Sequence, residues 1–567
     1  MSNSLFRTKK IDKILADAAT LEESAHGGHG LARVLTLKDL TFFGIAAIIG
    51  AGSFSSLGEA CFKGGPGVLI LFVICGIACG FTAMCYAEFA SRIPVAGSAY
   101  TYAYASFGEL FAWVIGWALI MEYSIGNIYV AFSWSDYFTS FLSRVGVHIP
   151  DYLTCSYMEA HQAVLRNSIN AELVNAWNSA PIVGGLHIIF DLPAFVINIL
   201  ITTLVYVGVK ESRNFSNIMV ILKLIIVVLV IGVGATYVNT GNWTPLNKEG
   251  IPSFMPNGFG GVMGAVSGVF FAYIGFDAIS VMAEESKNPQ RDLPRSMILS
   301  LVICTVVYIL LTLVLTGVTN YKNFEGVGDP LAKIFEVKNV AWMQFLVSIA
   351  AVVAMTSVLL VFQMGQPRIW MSMSRDGLLP PAFQRIHPKF KTPSFATLIT
   401  GLLVGVPIFF TDKTFVLDFT SIATLFAFVL VSGGVLLIPR KEKVPGKFNM
   451  PYINGQYVFP AIIAVAIVLL VVLSPGYFKG LFDITPENKS LNISSIIFWI
   501  VMFIVSIAAF LKKFSLIPLM GLSTCLYLLT GMTAANWLWF GAWLAIGLVV
   551  YFLYGYKKSK LAFNKKG

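Results

Sequence analysis

Gly44 to Phe54 reads GIAAIIGAGSF in the middle of an apolar stretch, with Gly50, Ala51 and Gly52 at half depth. A membrane helix satisfies its own backbone, so a stretch that unwinds there must turn its freed groups toward protein, water or a ligand. An outer half-helix starting near Ala51 points the amides of Gly50, Ala51 and Gly52 into the gap, and its positive dipole end suits a carboxylate. The inner half ends on bare carbonyls, notably that of Ile48, which suit an ammonium group. An α-amino acid carries both groups on one carbon. The competing reading is a packing face, because small residues are common where membrane helices touch.

A second interrupted stretch, FFAYIGFD at Phe270 to Asp277, lies five spans later, as an inverted repeat requires. Carbonyls of Phe271 and Ile274 complete the ammonium site in this reading, and the Phe271 ring closes over the substrate; taken singly, these aromatics also read as core or lipid-facing. Lys223, in NIMVILKLIIVV, is a lysine at mid-span, which costs roughly 2.5–3.5 kcal/mol on insertion scales and needs a reason. It is a candidate proton carrier, or a fixed ammonium standing where a transporter otherwise holds sodium, with Thr356 and Ser357 as hydroxyl partners. Snorkelling to the interface is the alternative. Glu122 is the other membrane carboxylate, and Tyr123 and Asn127 form an i, i+4 pair beside it. Glu122 can bind a basic side chain, pair with Lys223 or accept a proton. Met355 is expected to face and shorten the pocket, which favours a small neutral substrate, whereas Glu122 favours a cationic one.

The elements that must position these residues are helices. Hydrophobic residues make up 57% of the 567-residue chain and charged residues 12%, with a mean hydropathy of +0.77, so the chain is read as an all-α polytopic membrane protein. At about 20 apolar residues per span, fourteen helices are expected. A cytoplasmic segment at 1–37 precedes helices 1–5 at 38–237, helices 6–10 at 258–438, accessory helices 11–14 at 456–554 and a tail at 555–567. Most Lys and Arg fall on the N-terminal side of the membrane, so the formal charge of +10 reads as topology, with both termini cytoplasmic, rather than as a nucleic-acid footprint. Residues 142–190 form a long polar outer loop, either a cap or a solvated insertion. Leu5 to Leu15 reads as a basic amphipathic helix on the inner leaflet, and His26 and His29 as part of a Gly-rich linker rather than a metal site. Six of the seven cysteines lie in or beside apolar spans and none forms a CxxC pair, so neither disulfides, metal nor cofactor is called for. No nucleophile–base pair emerges among the spans, which argues against an enzyme.

Taken together, IIGAGSF, YAEFASRIPVAGSAYTYAY at 86–104, GWALIMEYSIGN at 116–127, FFAYIGFDAISVMAEESKNPQRDLPRSM at 270–297 and GQPRIWMSMSRDGLLP at 365–380 resemble the amino acid–polyamine–organocation superfamily, in its cationic amino acid transporter branch. The resemblance implies a LeuT-like 5+5 inverted repeat with additional C-terminal helices and alternating access around a mid-membrane site. It implies a secondary permease for small neutral or cationic L-amino acids, sodium-independent and proton-coupled, in the cell membrane. Substrate and protons are then its partners besides lipid. Carried over by motif, Ile48 and Gly50 to Gly52 hold the amino acid backbone, Phe271 and Ile274 take the ammonium, and Tyr123, Asn127 and Glu122 line or flank the pocket. Lys223 matches the lysine that replaces sodium in sodium-independent relatives. Ser53 and Ser55 depart from the aliphatic residues usual after these glycines. An exchanger, or a sensor without net transport, is the alternative.

Overall fold

The computed structural model describes residues 5, 7–9, 14, 35–50, 52–95, 98–165, 171–208, 213–247, 249–390, 392–437, 448–473, 476–483 and 489–563. Ala51, His26, His29 and most of the Leu5 to Leu15 stretch lie outside these. Among the described residues, eight helical runs are long and apolar enough to cross a membrane, and four shorter apolar helices accompany them.

The first apolar stretch is broken, as expected. Leu37–Ile48 opens on a capping box, in which the Thr36 amide and hydroxyl both donate to Asp39 Oδ2 at 3.0 and 2.6 Å. The helix stops at Ile49, whose ψ of 95° is extended. The chain resumes as a wide π-type turn at Gly52–Ser56 and continues as Leu57–Gly64; such turns recur at functional sites. The second break falls between Val266–Phe271 and the nine-residue 3-10 segment Asp277–Glu285. Gly275 makes that corner with φ +122°, a conformation that a side chain disfavours.

Two long helices frame these breaks. Glu109–Arg144 has 36 residues and Ala341–Arg375 has 35. At 1.5 Å per residue each runs about 50 Å, well beyond the roughly 30 Å hydrocarbon core. They pack along one another and, with Lys413–Leu437, form the centre of the bundle. Glu109 lies beside the described N-terminal segment, its amide donating to the Arg7 carbonyl at 2.9 Å, and its carboxylate accepts from Ser559 at 2.5 Å, so one end of the bundle holds the described N- and C-terminal segments and the other is distal to them.

The C-terminal helices divide. Gly455–Leu473 and Lys489–Lys512 are mostly exposed and pack chiefly on each other. Ala534–Val550 is tied to the Glu109–Arg144 helix by three indole bonds: Trp113 to the Gly547 carbonyl, Trp117 to that of Trp543, and Trp543 back to that of Trp117. The distal insertion is a folded unit. Tyr157–Leu165, Ala171–Ser179 and a two-residue hairpin enclose a small core of Cys155, Ala160, Ala176, Ala180 and Ile189.

Candidate functional site

The two breaks interlock. A Cβ on Gly52 would lie 2.5 Å from the Ala272 Cα, and one on Gly275 would lie 2.9 Å from the Ala47 backbone. Each interruption therefore presents a glycine to the other. Between them is a narrow cavity of about 10 Å³ lined by Ala47, Ile48, Gly52, Val130, Phe271, Ile274, Val358 and Phe362. Apart from Gly52, every lining residue carries an aliphatic or aromatic side chain, so polar recognition of a ligand here falls to the backbone. The amides of Gly50 and Gly52 donate to no carbonyl among the described residues, whereas those of Ser53 and Phe54 fold back onto the Gly50 carbonyl at 3.1 and 3.0 Å.

Lys223 is 1% exposed, and its ammonium lies 3.2 Å from the Ala46 carbonyl, 3.3 Å from that of Ile49 and 2.5 Å from Ser357 Oγ. Ala46 and Ile49 are the last turn of the first half-helix, where the dipole is negative and carbonyls lack helical donors. The lysine thus supports the break rather than snorkelling. Thr356, the other hydroxyl singled out in the sequence, bonds elsewhere: it donates to the Val352 carbonyl and accepts from the Trp134 indole. A residue that sequence reasoning missed is Tyr308. Its hydroxyl lies 2.9 Å from the Ile48 carbonyl and 2.7 Å from the Ala272 carbonyl, bridging both breaks. Its signal was a phenol at mid-span in Pro289–Val318, which needs a buried partner.

Of the remaining expectations, Ile48, Gly52, Phe271 and Ile274 line the cavity, while Gly50 packs against Val358. From the Glu109–Arg144 helix it is Val130 that reaches the cavity. Glu122, Tyr123 and Asn127 lie toward the termini end; Asn127 donates to Gln363 at 2.5 Å and the Tyr123 ring sits tilted against that of Phe362 at 5.5 Å. Met355 is fully buried, but Val358 and Phe362 of its helix line the space.

The distal side is closed in layers. The Phe271 ring meets Tyr129 edge-on at 4.6 Å, and Lys413 sits over the Tyr129 ring while pairing with Asp136. Tyr137 donates to the Phe54 carbonyl at 2.6 Å, and Ser55 donates to that of Gly328 at 3.1 Å. Next in sequence, Asp329 accepts from Ser140 at 3.0 Å and pairs with Arg144 at 3.5 Å. Burial pushes the Asp329 carboxyl up to about 6 despite the opposing Arg144 charge. The insertion docks here as well: Glu159 Oε1 accepts the Lys413 amide at 3.1 Å, and burial raises its carboxyl above the usual range.

A polytopic helical bundle with two facing backbone breaks and a buried lysine defines a membrane permease, and the chain belongs to the amino acid permease family, whose model matches residues 35–506, with the permease C-terminal region matching 515–559. It is 38% identical over 563 residues to the branched-chain amino acid permease BcaP of Bacillus subtilis, covering 99% of this chain and all of that one. It is 34% identical over 561 residues to the methylthioribose transporter of the same organism, covering 99% of each. It is 30% identical over 648 residues to the vacuolar cationic amino acid transporter 2 of Arabidopsis thaliana, covering 99% of this chain and 93% of that one. These relatives carry solutes across membranes, and the chain is a transporter rather than an enzyme.

Proposed function

We propose that the chain is a sodium-independent, proton-coupled permease for neutral aliphatic L-amino acids, working by alternating access in a fourteen-span, 5+5 inverted-repeat fold with both termini cytoplasmic. The observation that carries the substrate class is the cavity at the crossing of the two breaks, where backbone groups supply the polarity and aliphatic and aromatic side chains the rest. The amides at Gly50 to Gly52 take the carboxylate, and the carbonyls of Ile48, Phe271 and Ile274 take the ammonium in exchange for the Tyr308 hydroxyl. Phe271 is the gate. No carboxylate lines the cavity, which favours neutral over cationic substrates, and the name of the Bacillus subtilis branched-chain permease agrees. Lys223 stands in for a sodium ion by holding the Ala46 and Ile49 carbonyls.

The test is uptake of L-valine, L-leucine, L-alanine, L-arginine and methylthioribose by proteoliposomes under an imposed proton gradient, with and without sodium. Valine or leucine should accumulate without sodium, and collapse of the gradient should stop net accumulation. Uptake that requires sodium, or that runs only with substrate trapped inside, would replace this reading with a sodium symporter or an exchanger.

A further inference from the structure

Beside the distal insertion the bundle is locally short. Leu192–Val207 has 16 residues, which at 1.5 Å per residue make about 24 Å, less than the roughly 30 Å hydrocarbon core. Its neighbour Ser394–Gly405 has 12 residues and ends in the turn Pro407–Phe409. The two pack side by side: Asn198 Nδ2 donates to the Gly401 carbonyl at 3.1 Å, and the Phe195 ring meets that of Phe409 at 4.8 Å. Their distal ends are therefore level. Phe190, just before the first of them, reaches the same Phe409 ring at 5.6 Å. Exposed aliphatic side chains run along both helices, among them Leu200 and Leu402 at 57% and 60%, and the stripe continues to the exposed Phe410.

The insertion places its hairpin directly before this pair. Ile182–Val183 runs antiparallel to Leu186–His187, joined by Gly184 and Gly185, whose φ of +61° and +84° suit a two-residue type I′ turn. Register sets the faces, because cross-strand partners share a side and neighbours along a strand alternate. His187 turns toward the insertion, where its ring stacks on Trp177 at 4.1 Å and its Nδ1 lies 3.0 Å from the Trp177 carbonyl. Leu186, its partner Val183, and Ile188 therefore share the other side. Val183 and Leu186 are 65% and 64% exposed, as bare as Leu200 and Leu402, and Ile188 is exposed beside them. Between Glu172 and Asp191 the sequence carries no Lys, Arg, Asp or Glu. An aliphatic face on a charge-free hairpin marks a contact with something other than water. Three such side chains fall far short of the roughly 20–30 residues that each partner gives to a stable protein interface. Lipid sets no such minimum, and the exposed stripe of the two helices already leads to the hairpin.

We propose that the Val183, Leu186 and Ile188 face of this hairpin lies in the distal leaflet, at the boundary between headgroups and acyl chains, and makes up the apolar height that the two short helices lack. The deficit beside Leu192–Val207 is about 6 Å, within the roughly 5–10 Å depth at which apolar faces seat in that boundary. The hairpin ties the insertion to the bilayer, while Glu159 ties it to the Lys413 amide. With no Lys or Arg between Glu172 and Asp191, the seating draws on acyl chains rather than on anionic headgroups.

The test uses the full chain in phosphatidylcholine bilayers, spin-labelled at Val183→Cys, Leu186→Cys, Leu200→Cys or Asn178→Cys. The seven native cysteines are buried, and the spectrum of label-treated wild type is subtracted. Depth is read from collisions with oxygen against those with a water-soluble nickel chelate. Labels at Val183 and Leu186 should lie about 5–10 Å below the headgroups, with the label at Leu200 in hydrocarbon and that at the exposed Asn178 in water. Nickel contact at Val183 and Leu186 as strong as at Asn178 would overturn the proposal. Dipolar broadening at Val183 that vanishes on dilution with unlabelled chain would overturn it in favour of a second copy of the chain. Unlabelled wild type gives a further check, with phosphatidylcholine bearing a photoactivated carbene precursor near the top of its acyl chain. Adducts within residues 181–188 are expected. Adducts on Leu192–Val207 without any on the hairpin would overturn the proposal even if the cysteine variants fail to fold.

Discussion

Gly52→Ala is the smallest change that tests whether the two breaks must touch. The added Cβ would sit 2.5 Å from the Ala272 Cα and 3.1 Å from its Cβ, so the closer contact is roughly 0.9 Å short of ordinary van der Waals distance. The obstructing atom is backbone and cannot rotate away, so one half-helix must move. Overpacking of this kind costs about 1–3 kcal/mol. Because the displaced segment carries the amides proposed to take the carboxylate, most of that cost should appear in substrate affinity, a weakening of about 5- to 150-fold. The assay is calorimetric titration of purified protein with L-leucine, beside a thermal melt. Gly80→Ala is the control, since nothing lies within 4 Å of its Cβ; an alanine in that helix should bind normally and melt at or slightly above wild type. Wild-type affinity in Gly52→Ala would refute the reasoning, because it would mean that the breaks tolerate separation or that the substrate binds elsewhere.

Three other outcomes are expected. Lys223→Met leaves the Ala46 and Ile49 carbonyls without their ammonium; it should destabilise the protein by about 1–3 kcal/mol and abolish uptake, read by thermal melts and proteoliposome flux. At the distal latch, burial raises Asp329 to about 6, so the folded state binds the proton more tightly than the unfolded one and loses stability as pH rises from about 4 to about 6; the melting temperature of wild type relative to Asp329→Asn should fall across that window and level off above it. At the termini end, Glu109 is fully buried and accepts from Tyr104, Tyr551 and Ser559 at 3.1, 2.9 and 2.5 Å; Tyr551→Phe combined with Ser559→Ala should lower stability by about 1–3 kcal/mol, measured by thermal melts in detergent.

Features with a local cause were readable from sequence. Gly50 and Gly52 within one apolar run mark the first break, and Gly275 with Asp277 in FFAYIGFD marks the second, where the structure gives Gly275 a φ of +122°. Lys223 stood out because a mid-span charge always requires a partner. Which partner was settled by tertiary structure: Ser357 meets the ammonium, whereas Thr356, its neighbour in sequence, faces the Trp134 indole. The same limit applies to the cavity wall. Met355 and Val358 are three residues apart on one apolar helix, and periodicity cannot say which of them meets the gap. Tyr308, the Arg144–Asp329 latch and the Glu109 clasp each join segments distant in the chain. The insertion at 142–190 read as polar loop because its small buried core is three alanines, Cys155 and Ile189, too few large apolar residues to signal a folded unit.

The central claim is that bare peptide groups at two helix breaks grip both ends of an amino acid. Calorimetric titration of the purified chain with L-leucine, with its amine analogue lacking the carboxylate, and with its acid analogue lacking the ammonium tests this most directly. Heat of binding for leucine and none for either analogue is the expected result. Binding of either analogue as tight as that of leucine, or no heat from any amino acid, would contradict it.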